Sequence, residues 1–189
     1  LGSAWFTLRR MMAGGIHDHL AGGFHRYAVD SRWIVPHFEK MLYDQSGITL
    51  ALLDGYLLTG DTALAHGARS TLDFVQREMT NNEGGIMAAL DADSAEPGTL
   101  TESGTFSEAS TKSKREGAFY VWTHDEIEHI LDYFLDIKPK TDAVTFLKHV
   151  DNSLPDSVTS EMAKAAFKLH YSITKEGNAH DRSLNPHGE

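Results

Sequence analysis

In residues 4–13 the apolar side chains of Trp5, Leu8 and Met12 recur at helical spacing, and Gly14-Gly15 follows them. A glycine pair just past such a stripe can supply the left-handed position that ends a helix. Residues 14–35 show no period. They are dense in Gly, His and aromatic residues and read as a structured loop, with a short extended piece at residues 24–29. Pro36 suits the first position of a helix, which predicts a long helix over residues 36–58 stopped by Thr59-Gly60. Ile48, Leu50, Leu52, Leu53, Tyr56, Leu57 and Leu58 make its second half apolar nearly all round, a pattern that predicts burial on most sides. Asp61 is placed to cap a second helix to about residue 79, with Leu64, Ala68, Leu72 and Val75 as its inner stripe.

A second glycine-led string, GGIMAALDADS, begins at Gly84, 70 positions after the Gly14 of GGIHD. Both strings follow a predicted helix end, so the pattern reads as a degenerate repeat of helical hairpins, units that bury their apolar faces by stacking on neighbours. Residues 95–115 are rich in Ser, Thr, Glu and Lys and read as a disordered insertion. Residues 117–122 (GAFYVW) look strand-like. Thr123 with Glu126 forms a capping box for a helix to about residue 134, and a weaker helix follows over residues 160–171. The closing string NAHDRSLNPHGE is polar and completes no element.

Composition narrows the classes. A hydrophobic share of 41% and a charged share of 23% are ordinary for a globular chain. A net charge of −10 argues against nucleic-acid and anionic-membrane surfaces, which select clustered Lys and Arg. The lack of cysteine removes disulfides, thiol catalysis and thiolate metal sites from these residues. No apolar run reaches the roughly 20 residues of a membrane span. The first residues carry their arginines behind their apolar positions, the reverse of a secretory signal. The chain starts at Leu1 as though already inside a helix, which leads us to expect further sequence upstream.

The candidate chemistry gathers in residues 14–45: His17, Asp18, His19, His25, Arg26, Tyr27, Asp30, Arg32, Trp33, His37, Glu39, Lys40, Tyr43 and Asp44. Glycines among them let the backbone turn tightly and approach a ligand. On the predicted helix, Lys40 and Asp44 lie one turn apart, as do Glu39 and Tyr43, so these pairs also read as local contacts. His17, His19, His25 and His37 with Asp18 offer metal-type donors. Their spacing matches no standard metal pattern, and the expectation is no metal and no cofactor. Asp91 and Asp93 offer paired carboxylates, or a simple turn. Phe24, Tyr27 and Trp33 offer stacking faces, or core packing. The glycines form no phosphate loop, because GxxxxGK[ST] is absent. Polar, aromatic loops on one rim of stacked hairpins suggest a carbohydrate-type pocket, where carboxylates serve as general acid and base.

The strings GGIHDHLAGGFHRYAVDSRWIVPHFEKMLYDQ, ALDADS and EGAFYVWTHDEI resemble the spermatogenesis-associated protein 20-like family. That resemblance covers most of residues 14–126. It implies a large protein in which a thioredoxin-like domain precedes a six-hairpin glycosidase-like (α/α)6 toroid. The fold class expected is mainly α, with about three of the toroid's hairpins. Residues 1–189 would then be one partial toroid domain, a fragment without the thioredoxin-like domain. The insertion between Asp93 and Lys114 is longer and more polar than the family pattern. The closing string looks like a further family segment cut short.

Two functions follow as expectations. In the first, a carbohydrate-active domain of sugar-epimerase or glycoside-hydrolase type, His17 or His37 is the general acid/base, with Asp18 or Asp91 as carboxylate partner. Arg26 and Lys40 bond the substrate and Trp33 stacks on it, with His25, Tyr27, Glu39, Tyr43, Asp44 and Asp93 completing the lining. The partner is a small carbohydrate, with no nucleic acid and no membrane. In the second, the module is non-catalytic and scaffolds the rest of the toroid or the thioredoxin-like domain. A metal-dependent hydrolase is a third reading.

Overall fold

Helix α1 (Gly2–Ala13) opens the computed structural model, which describes residues 2–96, 110–137 and 160–178. The chain divides into two compact units, Leu1–Ala95 with Ser113–Ala118, and Glu96–Lys112 with Phe119–Glu189. The described residues are mainly α-helical, and their strands form short two-stranded ladders.

In the first unit the order after α1 is β1 (Tyr27–Ala28), β2 (Pro36–His37), β3 (Lys40–Met41), α2 (Leu42–Thr59) and α3 (Thr62–Phe74). A π-helical turn, Val75–Met79, continues α3, and β4 (Ala89–Leu90) follows; β5 (Asp93–Glu96) and β6 (Ser110–Glu116) come next, with Glu96 and residues 110–112 assigned to the second unit. Gly60 adopts φ 70° and donates its N–H to the Tyr56 carbonyl at 2.8 Å, which stops α2 where the sequence places the stop. Asp61 then works twice. Its Oδ1 accepts the Ala63 N–H and caps α3, while its Oδ2 lies 3.0 Å from Arg9 Nε and docks α1. The three helices enclose Ile16, Phe24, Leu52, Leu64 and Ala68, with Leu8, Met11, Met12, Ala28 and Ile48 packed against them.

Several expectations need correction. α1 ends at Ala13, but Gly14 and Gly15 are not left-handed. Gly15 is required for close approach instead: a Cβ there would stand 1.8 Å from the Ile34 carbonyl oxygen. The long helix begins at Leu42, six residues after Pro36. Pro36 pairs with Ala28 across an antiparallel ladder, and Lys40 and Met41 pair with Leu90 and Ala89. Proline's missing N–H is harmless at such a ladder edge, and the distant partners hold residues 36–41 extended. Lys40 and Asp44 therefore do not share a helix turn, nor do Glu39 and Tyr43.

The second half of α2 is not buried on most sides. Leu52 is fully buried, whereas Leu57 and Leu58 are 78% and 68% exposed. On α3 the inner face is Leu64, Gly67, Ala68, Thr71 and Phe74, and Leu72 is exposed. At 3.6 residues per turn Thr71 points within about 20° of Leu64, and Leu72 about 80° away. The expected insertion is shorter at both ends, because β5 and β6 take up its borders; residues 97–109 lie outside the described part. Residues 117–120 form a turn rather than a strand. Gly117 has φ 71° and donates to the Ala92 carbonyl, so the extended run ends at Glu116.

In the second unit Thr123 and Glu126 form the expected reciprocal box, Thr123 N–H to Glu126 Oε2 at 2.7 Å and Glu126 N–H to Thr123 Oγ1 at 3.2 Å. Helix α4 (His124–Ile137) extends three residues past its expected end. Helix α5 (Ser160–His170) pairs with it through Lys164–Asp132 and Lys168–Glu128. Residues 179–189 of the polar closing string lie outside the described part.

Candidate functional site

The loop after α1 folds around one carboxylate. Asp18 Oδ1 accepts the N–H groups of Leu20 and Ala21, at 3.1 and 2.9 Å, and Oδ2 accepts Lys40 Nζ at 2.8 Å. Lys40 also donates to the Gly22 carbonyl at 3.0 Å, and its ammonium stands 4.1 Å from the centre of the Phe74 ring. Gly22 and Gly23 make this possible. Both have positive φ, and a Cβ on Gly22 would meet the Ser70 carbonyl oxygen at 2.5 Å.

Burial alone would push the Asp18 carboxyl up, but the Lys40 ammonium and the loop N–H groups carry it below the usual range. For Lys40, burial outweighs the pull of Asp18 and lowers the ammonium's pKa. The two directions oppose each other for the strength of the pair. The carboxylate's is the one we stand behind, because three donors converge on it at ordinary distances.

Gln45, in the first turn of α2, ties helix to loop. Its Oε1 accepts the Phe24 N–H at 2.7 Å, and its Nε2 donates to the carbonyls of Phe24 (2.7 Å) and Met41 (3.0 Å). Sequence reading did not single out Gln45, and its only signal was a polar residue entering an apolar helix.

Two histidines lie inward of this brace. His17 stacks on Phe24 at 4.7 Å, and its Nδ1 bonds the Met12 carbonyl at 3.1 Å. A carbonyl only accepts, so Nδ1 carries the proton and the buried Nε2 holds a lone pair with no hydrogen-bond partner. Burial, then the neighbouring His19, lowers its pKa to about 4. His25 is 4% exposed and lies edge-on to Phe38; burial, then Lys40, lowers it to about 3. His19 bonds the Gly14 carbonyl through Nε2 at 3.1 Å. Among the described residues no group of three or more His, Asp or Glu could hold a metal ion.

A second group faces outward. The Arg26 Nη1 lies 2.9 Å from Glu39 Oε2, and the Arg26 N–H donates to the Glu39 carbonyl at 2.9 Å. Tyr43 also interacts with the Arg26 guanidinium. Asp44 belongs to the same group: burial, with Glu39 adding to it and Arg26 opposing, raises its carboxyl pKa, and its buried Oδ2 has no hydrogen-bond partner. On the adjoining β1–β2 ladder Tyr27 and His37 stack at 4.8 Å, and His37 Nε2 is 3.8 Å from Glu116 Oε1.

Over 128 residues the chain is 41% identical to human spermatogenesis-associated protein 20 and 40% identical to the mouse protein of that name, 68% of this chain in each case. The rat protein is 38% identical over the same length. The chain belongs to the spermatogenesis-associated protein 20-like family. It spans 15% of the length of these relatives. No protein-family model matches it.

Within this family segment the structure sorts the candidate residues into four places. His17, Asp18, His25 and Lys40 form the inner brace. Arg26, Tyr27, His37, Glu39, Tyr43 and Asp44 form the outer face. Asp91 and Asp93 stand apart: both are exposed, and the Asp91 carboxylate accepts the Asp93 N–H at 3.2 Å, as a turn residue does. Trp33 sits at the tip of the β1–β2 hairpin, 39% exposed. The described residues also outline an open cleft in the second unit, lined by Glu128, Lys164 and Lys168 among others. It holds none of the candidate residues, and its two lysines are already ion-paired across α4 and α5.

Proposed function

We propose that this segment belongs to a carbohydrate-active domain, built as a partial (α/α)6 toroid, in which Arg26, Tyr27, His37, Glu39, Tyr43 and Asp44 face a sugar. The observation that carries the reading is Asp44: a carboxyl whose pKa burial raises and whose buried Oδ2 has no hydrogen-bond partner, in the same group as the Arg26–Glu39 pair. A carboxyl held towards its protonated form, with a second carboxyl group in the same cluster, is the combination that an acid and a base acting on one glycosidic or anomeric centre call for. The Tyr27–His37 stack adds an apolar plane beside hydrogen-bonding groups, the combination a pyranose selects. Lys40, with no exposed surface, does not itself meet the ligand in this reading.

Calorimetric titration of this chain with a panel of mono- and disaccharides tests the reading. Binding should weaken at least tenfold in Glu39→Gln and in Asp44→Asn, with melting temperatures unchanged. Affinity that survives both substitutions rejects it. A second reading, the non-catalytic scaffold for a thioredoxin-like domain or the rest of a toroid, draws on the inner brace, where Asp18 and Gln45 direct their polar atoms to the chain itself. Under it no saccharide gives heat, and brace substitutions move only the melting temperature.

A further inference from the structure

The tip of the β1–β2 hairpin is organised by one residue. Four successive N–H groups end on Asp30: Arg32 on Oδ1 at 2.8 Å, Trp33 on the backbone carbonyl at 3.2 Å, and Ile34 and Val35 on Oδ2 at 2.9 and 2.6 Å. Below them the Val29 N–H closes the loop on the Val35 carbonyl at 2.9 Å. From the other side the Gly15 N–H donates to the Trp33 carbonyl at 2.6 Å, and the backbones touch so closely that no side chain fits on Gly15.

Held between these clamps, Trp33 adopts φ 60°. That conformation is costly for a bulky residue, and such outliers persist where the surroundings over-determine them. Core packing alone does not account for the cost, because Trp33 is 39% exposed. A glycine would sit here without strain. The chain instead keeps a large aromatic ring in a strained backbone and presents it to solvent beside the exposed Arg32.

We infer that Asp30 is a positioning residue that fixes the Trp33 indole as a rigid platform for the apolar face of a sugar ring. The inference rests on the carbohydrate reading above and adds a second contact to it. A preset ring loses little freedom on binding, which is the advantage of preorganisation.

Three tryptophans are present, so Trp5→Phe with Trp122→Phe leaves Trp33 as the single emitter. In that background a binding saccharide should shift the Trp33 emission in a saturable way. Asp30→Ala should weaken the affinity at least tenfold with helical dichroism retained, and Asp30→Asn, which keeps one acceptor oxygen, should fall between. Trp33→Gly should abolish binding while the melting temperature holds or rises, since glycine relieves the positive φ. A merely structural tryptophan gives the opposite, a lower melting temperature on going to glycine, and that result overturns the inference. Unchanged affinity in Asp30→Ala also overturns it, and leaves the proposed function standing where calorimetry remains sensitive to Glu39→Gln. Absence of any saccharide binding by the parent chain overturns both.

Discussion

Lys40 Nζ sits 2.8 Å from Asp18 Oδ2, and the lysine side chain has no solvent-exposed surface. Removing one partner of such a pair leaves the other charge buried. Lys40→Met or Asp18→Asn should each cost about 3–5 kcal/mol in chemical denaturation, and the double substitution less than the sum of the two. Strictly additive losses would show that the two charges do not act on each other.

The buried histidines make the fold sensitive to acid. With pKa values of about 4 for His17 and about 3 for His25, both rings stay neutral in the folded chain at pH values where the unfolded chain protonates them. The unfolded state therefore binds more protons below its own histidine pKa of about 6.5. Stability is complete above that value and falls by about 1.4 kcal/mol per pH unit for each histidine as pH drops from 6 towards 4. Asp18, whose folded pKa is depressed, adds a further loss below the ordinary carboxylate range. Melting temperatures at pH 7.5 and pH 5 should differ clearly, and His25→Gln should flatten the profile. Equal melting at both values contradicts the burial of these rings.

Two glycines give opposite expectations. Gly15→Ala drives a methyl group into the Ile34 carbonyl, with backbone on both sides and no flexible side chain to yield. It should destabilise by about 3 kcal/mol, at the upper end for overpacking. Gly47 lies inside α2 with nothing within 4 Å of an added Cβ, so Gly47→Ala should stabilise by about 1 kcal/mol through helix propensity. Thermal melts of the two variants should move in opposite directions.

The exposed row of Leu50, Leu57 and Leu58 on α2 should make the chain prone to self-association. Sedimentation should detect concentration-dependent association, reduced in Leu57→Glu/Leu58→Lys. A sharply melting monomer that ignores these changes would argue that the row is harmless.

What could be read from the chain alone was local. The Gly60 stop, the Asp61 cap and the Thr123–Glu126 box each depend on residues within a few positions, and each stands where the pattern places it. The start of α2 depends on partners outside the helix, Ala28 across the hairpin for Pro36 and the distant Leu90 for Lys40, so a helical signal at Pro36 misleads. The site divides the same way. The density of polar groups in residues 14–45 marks the stretch from which the candidate site is built, but their division into an inner brace and an outer face follows from ring stacking and loop glycines that no periodicity records. Asp30 had a local signal, an Asx residue ahead of a turn, whereas Gln45 had almost none.

The β3–β4 ladder has a consequence in folding time. Its register joins Lys40 to Leu90, a loop of 90 − 40 = 50 residues, whereas the Asp18–Lys40 contact closes only 40 − 18 = 22. Loop-closure entropy separates the two events by about 0.7 kcal/mol. On loop entropy alone the shorter circuit through the Asp18–Lys40 brace is favoured to close first, which would give the second glycine loop a surface already shaped.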